Sequence, residues 1–188
     1  MKRLLILSLL CVAIATAQAQ KGVVQTFHLS SVRLLDSPFK VAEQKDLEYI
    51  LALDPDKLLA PYLREAGLEP KDKSYGNWEN SGLDGHIGGH YLTALSLMYA
   101  STGDKEVGER LNYMLNELKK CQDANGNGYI GGVPGSKAMW DEIAQGKINA
   151  GSFSLNGKWV PWYNIHKVYA GLRDAYLYTH NELAKEML

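Results

Sequence analysis

Apolar residues recur at helical spacing over most of this chain. The segment 86–101 is apolar nearly all round, which is typical of a helix that is buried on every side. Thr102-Gly103-Asp104 ends this helix and begins an amphipathic one, with Asp104 as its predicted N-cap. Further helices are predicted over 41–53, 56–65, 139–145 and 165–178.

The pair of a buried helix and an amphipathic helix recurs later in the chain. The shift that places Leu95 on Leu172 also places Asp104 on Asn181, so both second helices have the same kind of N-cap. Stacked helical hairpins of this sort build α/α toroids and solenoids, in which each hairpin needs neighbours to bury its faces. The last helix, Asn181 to Leu188, has only about two turns, which favours a chain that is cut off in mid-helix.

Two features precede the helices. A positively charged start, an apolar run from Leu4 to Ala15 and the site Ala17-Gln18-Ala19 form the pattern of a signal peptide. We therefore expect a secreted or periplasmic protein that is cleaved near Ala19, since the apolar run is shorter than the roughly 20 residues of a membrane span. The segment from Val23 to Leu35 is β-branched and partly alternating, which predicts one or two short strands.

Charge and cysteine content narrow the possible partners and the source of stability. The formal net charge is −1 with both signs interspersed, and no cluster of Lys and Arg marks a surface for nucleic acid or for an anionic membrane. After cleavage Cys121 is the only cysteine, so stability must come from a packed core rather than from an internal disulfide. Cys121 is predicted near a helix C-terminus, where the helix dipole raises the pKa of a thiol. Such a thiol is a poor nucleophile.

Two loops, over 77–91 and 159–167, combine Trp, His, Asn and Gly ahead of apolar helices. Aromatic faces beside imidazole and amide groups suit a polar, ring-shaped ligand, and sugars are the commonest of these. We therefore expect function where the two loops meet. Glycosidic chemistry usually needs two carboxylates, and none stands out among those available. The available carboxylates are Glu79, Asp84, Asp141, Glu142 and Asp174.

The pair His86 and His90 allows three interpretations. Their spacing places both on one face of a helix, as metal ligands need, but Ile87 stands where the motif His-Glu-x-x-His has its glutamate. A zinc pair with a third ligand elsewhere, histidines that line a polar pocket, and structural histidines all remain open. Gly88 and Gly89 each cost a helix about 1 kcal/mol relative to Ala, which the close approach of a ligand or a neighbouring helix would offset.

Two acidic segments have simpler interpretations. Asp84 is predicted to be an N-cap rather than a catalyst. The run from Asp123 to Gly128 has the spacing of the first half of a calcium loop, but Pro134 occupies the twelfth position, which excludes an EF-hand. A looser calcium site and a polar loop at the end of a helix remain open for this run.

The run Leu83-Asp84-Gly85-His86-Ile87-Gly88-Gly89-His90 and the segment 163–176 closely resemble the N-terminal part of the β-L-arabinofuranosidase glycoside hydrolases, families 127 and 146. The segment Val32–Phe39 looks like the start of that family, so the resemblance covers nearly all of the mature chain. It implies an all-α fold, an incomplete (α/α)6 toroid of helical hairpins preceded by a short β segment. The implied divisions are a signal peptide over 1–19, the β segment over 20–38 and the truncated toroid over 39–188.

The resemblance also implies a mechanism whose reacting groups are absent from this chain. In that family a zinc-bound cysteine thiolate attacks the anomeric carbon, a glutamate serves as general acid and base, and cysteines and a glutamate bind the zinc. All of these residues lie, in the family, beyond the point that corresponds to Leu188, and Cys121 matches none of them. We therefore expect this chain to hold no catalytic residue and no zinc ligand, and to be inactive alone, although the full-length family uses zinc.

The role that the resemblance carries over is that of a sugar pocket. The candidate substrate-binding residues are His86, His90 and His166, followed by Trp78, Asp84 and Trp162. The expected substrate is a terminal β-L-arabinofuranosyl residue of a plant polysaccharide or glycoprotein glycan. Two other functions remain open: a different α/α-toroid hydrolase or lyase that acts on uronic-acid polymers, and a non-catalytic carbohydrate-binding or scaffold role.

Overall fold

The computed structural model of the protein describes residues 24–188, and most of them are helical. The predicted all-α fold is therefore confirmed for this part of the chain, whereas the predicted signal peptide and residues 20–23 lie outside the described residues. Two single 3-10 turns occur, at Leu29–Ser31 and Asn77–Asn80. The helices are α1 (Pro38–Ala52), α2 (Pro55–Glu65), α3 (His86–Thr102), α4 (Lys105–Asn125), α5 (Ser136–Ala144), α6 (Pro161–Thr179) and α7 (Glu182–Glu186), and the strands are β1 (Ser154–Leu155) and β2 (Lys158–Trp159).

The strands predicted over Val23 to Leu35 do not form in residues 24–35. The backbone is extended at His28 and Val32, but it pairs with no other strand, and the 3-10 turn between them interrupts it. A strand is stable only when a neighbour satisfies its backbone hydrogen bonds. The two short strands of the described chain instead form one antiparallel hairpin, β1 with β2, directly before α6.

Two helices, α1 and α6, begin three and four residues earlier than predicted, and proline occupies the first position of each. Pro38 and Pro161 are the first residues of α1 and α6. Proline suits this position because a backbone N–H there would have no acceptor within the helix, so nothing is lost by its absence. Ser37 caps α1 by accepting a hydrogen bond from the backbone N–H of Lys40 at 3.3 Å. No helix within residues 24–188 is long and apolar enough to cross a membrane.

Helices α3 and α6 form the most extensive helix pair and lie backbone against backbone. A methyl group added at Gly89 would lie 2.6 Å from the carbonyl oxygen of Lys167, and one added at Gly171 would lie 2.6 Å from the carbonyl oxygen of Gly89. The contacts advance together along both helices, so the two run parallel and begin at the same end. The close approach that we expected to offset the helix cost of Gly89 is therefore that of a neighbouring helix.

The predicted repeat of helical hairpins is confirmed by its caps. Asp104 Oδ1 accepts a hydrogen bond from the backbone N–H of Val107 at 3.0 Å, at the start of α4. Asn181 Oδ1 accepts one from the backbone N–H of Ala184, also at 3.0 Å, at the start of α7. Each of the two parallel helices, α3 and α6, is thus followed by a tight turn and a second helix that a side chain caps. We call these second helices, α4 and α7, the outer helices.

Outer helix α4 closes the core against α2 and α3. Its apolar stripe is fully buried and includes Leu111, Met114, Leu115 and Leu118. Burial of such side chains contributes about 1.5–3 kcal/mol each, which is the main source of stability for residues 24–188, whose single cysteine, Cys121, is a free thiol. The core holds α3 and α6 in place, and their first turns present the two Trp- and His-rich loops.

Candidate functional site

The loop before α3 is organised around a buried carboxylate. Glu79, in the turn Asn77–Asn80, is only 2% exposed. Its Oε2 accepts a hydrogen bond from the backbone N–H of Gly85 at 2.9 Å, and its Oε1 accepts one from the N–H of Ile87 at 3.0 Å. Burial raises the pKa of Glu79, and the two backbone donors and His86 oppose this shift. Glu79 therefore satisfies the first backbone donors of α3.

Asp84 is not the N-cap of α3, which corrects the prediction. Gly85 occupies the cap position in the left-handed region, at φ 92°, and no side chain caps the helix from there. The buried carboxylate of Asp84 instead accepts a hydrogen bond from Arg64 at 3.2 Å and one from the N–H of Gly82 at 3.0 Å. These contacts fix the shape of the loop and leave Asp84 outside the cleft that the loop forms.

The imidazole of His86 has a defined orientation. Its Nδ1 lies 2.8 Å from Glu79 Oε1 and 2.9 Å from the carbonyl oxygen of Leu83. A carboxylate and a carbonyl oxygen both accept hydrogen bonds, so Nδ1 carries the proton that they share. No described residue hydrogen-bonds to Nε2, and the ring lines an open cleft. The ring therefore offers Nε2 to whatever enters that cleft.

The loop before α6 is tied directly to the loop before α3. Asn164, fully buried in the first turn of α6, donates hydrogen bonds from Nδ2 to the carbonyl oxygens of Leu83 at 2.9 Å and Asp84 at 2.8 Å. Asn164 and Leu83 are 81 residues apart in the sequence. The expected meeting of the two loops is therefore observed, and an amide side chain holds it in place.

An aromatic wall forms where the loops meet. The rings of Trp78 and Trp159 stack with their centroids 5.9 Å apart, and the two side chains remain 58% and 42% exposed. Tyr163 lies beside them, 6.0 Å from the His86 ring between centroids. The cleft has a volume of about 370 Å³. It is lined by Trp78, Leu83, His86, Trp159, Val160 and Tyr163.

Val160 joins the hairpin to α6 in a strained backbone conformation. Its φ is +38°, in the left-handed region that a β-branched residue rarely adopts. Strain of this kind persists only where the surrounding structure fixes it, and it often marks a binding site. Here it turns the chain sharply, so that Trp159 and Tyr163 on either side of it both reach the cleft.

The other predicted histidines lie near this cleft but do not line it. His90 is exposed one turn after His86, with ring centroids 6.3 Å apart. Desolvation lowers the pKa of His90, and the positive charge of Lys167 adds to this effect. His166 faces a separate depression of about 510 Å³ together with Tyr169 and other residues of α6.

Trp162 also lies apart from Trp78. It lines a neighbouring cleft of about 260 Å³ that shares Val160 and Tyr163 with the first one. Its ring packs edge-on against Trp140, with centroids 4.6 Å apart. The six predicted site residues are thus divided: Trp78 and His86 line the main cleft, and the other four lie around it or support it.

The described residues do not fit a zinc site. No group of three or more His, Cys, Asp and Glu side chains occurs within residues 24–188. His86 Nδ1 is already occupied by two acceptors, and the thiol of Cys121 is 1% exposed in the apolar core, where burial raises its pKa to about 12. A cysteine binds zinc as a thiolate, and this environment opposes loss of the thiol proton at neutral pH.

The acidic run after α4 forms a polar loop at the end of the helix. Asn125 Nδ2 donates a hydrogen bond to the carbonyl oxygen of Tyr129 at 2.8 Å, and Asn127 Oδ1 accepts one from the N–H of Tyr129 at 3.1 Å. The side-chain amides are thus used to turn the chain. Of the two interpretations left open for this run, the structure favours the helix-exit loop.

Sequence reasoning missed four residues of the site. Trp159, Tyr163 and Asn164 all lie in the second predicted loop. Trp159 belongs to β2, and the helical phase of α6 distinguishes Tyr163 and Asn164 from Trp162 and His166, which lie four residues apart on another face. Glu79 was noticed only as one carboxylate among several. Nothing local in the sequence shows that a 3-10 turn buries it under the start of α3.

One comparison with known proteins found a match. A family model described as "Beta-L-arabinofuranosidase, GH127 catalytic domain" matches residues 31–188, which contain both loops and all the helices described above. A search of curated proteins found no match to the chain.

Proposed function

This chain belongs to the GH127 β-L-arabinofuranosidase family of glycoside hydrolases, and on that premise we propose that its two Trp- and His-rich loops form one wall of a sugar pocket. The observation that carries the proposal is the stack of Trp78 and Trp159 beside His86. The two exposed indoles and one free imidazole nitrogen converge on a single open cleft. An aromatic wall with few polar groups is typical of sites for small polar ligands.

The chemistry of a furanose matches this wall. One face of the sugar ring presents mainly C–H groups, which pack on the indole rings of Trp78 and Trp159 and remove apolar surface from water. The hydroxyl groups at the ring edge then face His86, whose Nε2 accepts a hydrogen bond from one of them. The proposed substrate is a terminal β-L-arabinofuranosyl residue of a plant glycan, and the signal peptide pattern in the sequence supports a secreted or periplasmic location.

Residues 24–188 contribute binding rather than bond cleavage in this proposal. The zinc-bound thiolate that the family resemblance implies has no counterpart here, because the Cys121 thiol is buried and its pKa is raised to about 12. Zinc and the nucleophile therefore remain expectations for the family's chemistry and are not assigned to any described residue. The chain alone is proposed to bind the arabinofuranosyl group without hydrolysing it.

Calorimetric titration of the chain with methyl β-L-arabinofuranoside tests the proposal. We expect saturable binding that Trp78→Ala weakens about tenfold, the equivalent of about 1.4 kcal/mol. The matched control is Tyr49→Ala, which removes an aromatic ring that is 64% exposed on α1, away from the cleft. Methyl α-L-arabinofuranoside, the other anomer, serves as the control ligand. Absence of binding, or equal loss in both variants, would overturn the proposal.

A further inference from the structure

Glu79 has a second role besides satisfying the backbone of α3. We propose that it is the positioning residue for His86: it keeps the imidazole proton on Nδ1, so that Nε2 meets the sugar as a hydrogen-bond acceptor. This inference rests on the proposed function, and it concerns which sugar group the pocket recognises, namely a hydroxyl that donates. It is carried by the 2.8 Å contact between Glu79 Oε1 and His86 Nδ1.

The groups around Glu79 occupy both oxygens of its carboxylate. The N–H groups of Gly85 and Ile87 donate to its two oxygens at 2.9 and 3.0 Å, and Nδ1 of His86, which hydrogen-bonds to the Leu83 carbonyl oxygen, lies 2.8 Å from Oε1. A protonated carboxyl would direct a hydrogen at one of these donors, so the ionised form, which only accepts, fits all three. The imidazole facing it must then donate from Nδ1.

One other neighbour of the ring supports the same tautomer. The Leu83 carbonyl oxygen accepts from Nδ1, at 2.9 Å. His90 on α3 and Tyr163 on α6 face the ring at centroid distances of 6.3 and 6.0 Å, and neither carries a carboxylate that could attract the Nδ1 proton. Among the described groups, Glu79 is thus the only ionised one in contact with the imidazole.

Asp84 provides a matched control for Glu79. Both carboxylates are buried in the same loop, and both accept a hydrogen bond from a backbone N–H. Asp84, however, pairs with Arg64 at 3.2 Å and not with His86. Removing either charge takes a buried acceptor from the loop, but only the change at Glu79 removes a partner of the imidazole.

Nitrogen-15 NMR of the histidine side chains in the full chain tests the inference without sugar. We expect wild-type His86 to be protonated at Nδ1, with a pyridine-like Nε2. Glu79→Gln replaces one acceptor by an amide donor, so the Nε2–H tautomer of His86 gains population. Asp84→Asn leaves the tautomer as in the wild type. In sugar titrations, Glu79→Gln weakens binding of methyl β-L-arabinofuranoside about tenfold.

The outcomes separate this inference from the proposed function. A role of Glu79 limited to capping α3 would lower the melting temperature of Glu79→Gln and leave the His86 tautomer unchanged, which overturns the inference. A wild-type His86 protonated at Nε2 overturns it too, even if Glu79→Gln does not fold. Failure of the wild type to bind the sugar, with the Nδ1–H tautomer present, overturns the proposed function and not the position of the proton.

Discussion

Trp78 and Trp159 stack with ring centroids 5.9 Å apart, and this contact joins the loop before α3 to the hairpin before α6. The two segments are distant in sequence, yet the parallel packing of α3 and α6 brings their first turns to the same end of the core. The indoles face solvent, so the stack is not explained by core packing. It makes a platform at the edge of a cleft of about 370 Å³.

The approach of α3 to α6 depends on Gly89. In Gly89→Ala, the new methyl group would lie 2.6 Å from the Lys167 carbonyl oxygen, so the two helices must separate. Overpacking of this kind costs about 3 kcal/mol of unfolding free energy. Urea unfolding of the variant measures this loss. Gly76→Ala is the control, since nothing lies within 4 Å of its added methyl group and its φ of −80° suits alanine. Equal stability of the two variants would contradict the close packing.

The helical part of the fold could be predicted because its signals are local. Asp104 and Asn181 were predicted as equivalent caps from their position after a buried helix, and both accept the expected backbone hydrogen bond. The strands predicted before α1 do not form, because strand formation depends on a pairing partner and not on local signals alone. A β-branched segment shows that a strand is possible, but only the folded chain shows whether a pairing partner exists.

The site could be predicted as two loops that meet, but not residue by residue. Trp162 and His166 carry the right chemistry, and yet they lie on a face of α6 that turns away from the main cleft, while Tyr163 faces it. One residue along a helix rotates a side chain by about 100°. The burial of Glu79 depends on contacts across the loop, which no local pattern reveals.

The repeated caps make a prediction about stability. Asp104→Ala and Asn181→Ala each remove one side-chain acceptor from the first turn of an outer helix, and each should cost about 1 kcal/mol. Thermal or urea unfolding measures both. Lys105→Ala is the control, since its side chain is 89% exposed and caps nothing. If the two cap variants were as stable as this control, the caps would not stabilise the outer helices, and the structural repeat would be contradicted.

The pKa of His90 responds to the positive charge of Lys167 on α6. Desolvation and then the positive charge of Lys167 lower it in the folded protein, so folding disfavours the protonated form. His90 therefore lowers the free energy of unfolding as the pH falls through the range in which this histidine takes up a proton in the unfolded chain. Lys167→Gln should raise the pKa of His90, which proton NMR titration measures. Lys137→Gln, on α5, is the charge-matched control, and an equal change in both variants would show that Lys167 does not act locally.

Cys121 should be chemically silent in the native protein. Its thiol is 1% exposed and has a pKa of about 12, so almost none of it is thiolate at neutral pH. We expect a thiol reagent to label it only on unfolding, and the chain with added zinc to release no arabinose from an aryl β-L-arabinofuranoside. Arabinose release that Cys121→Ser abolishes would contradict the proposal that these residues bind sugar without cleaving it.

The most direct test of the sugar-binding wall follows the indole N–H signals of the four tryptophans by NMR during titration with methyl β-L-arabinofuranoside. The account predicts that the signals of Trp78 and Trp159 shift together and saturate at one dissociation constant. Trp140, half-buried outside the main cleft, should stay unchanged as the internal control. Signals of Trp78 and Trp159 that remain fixed, or that move no more than that of Trp140, would contradict the account.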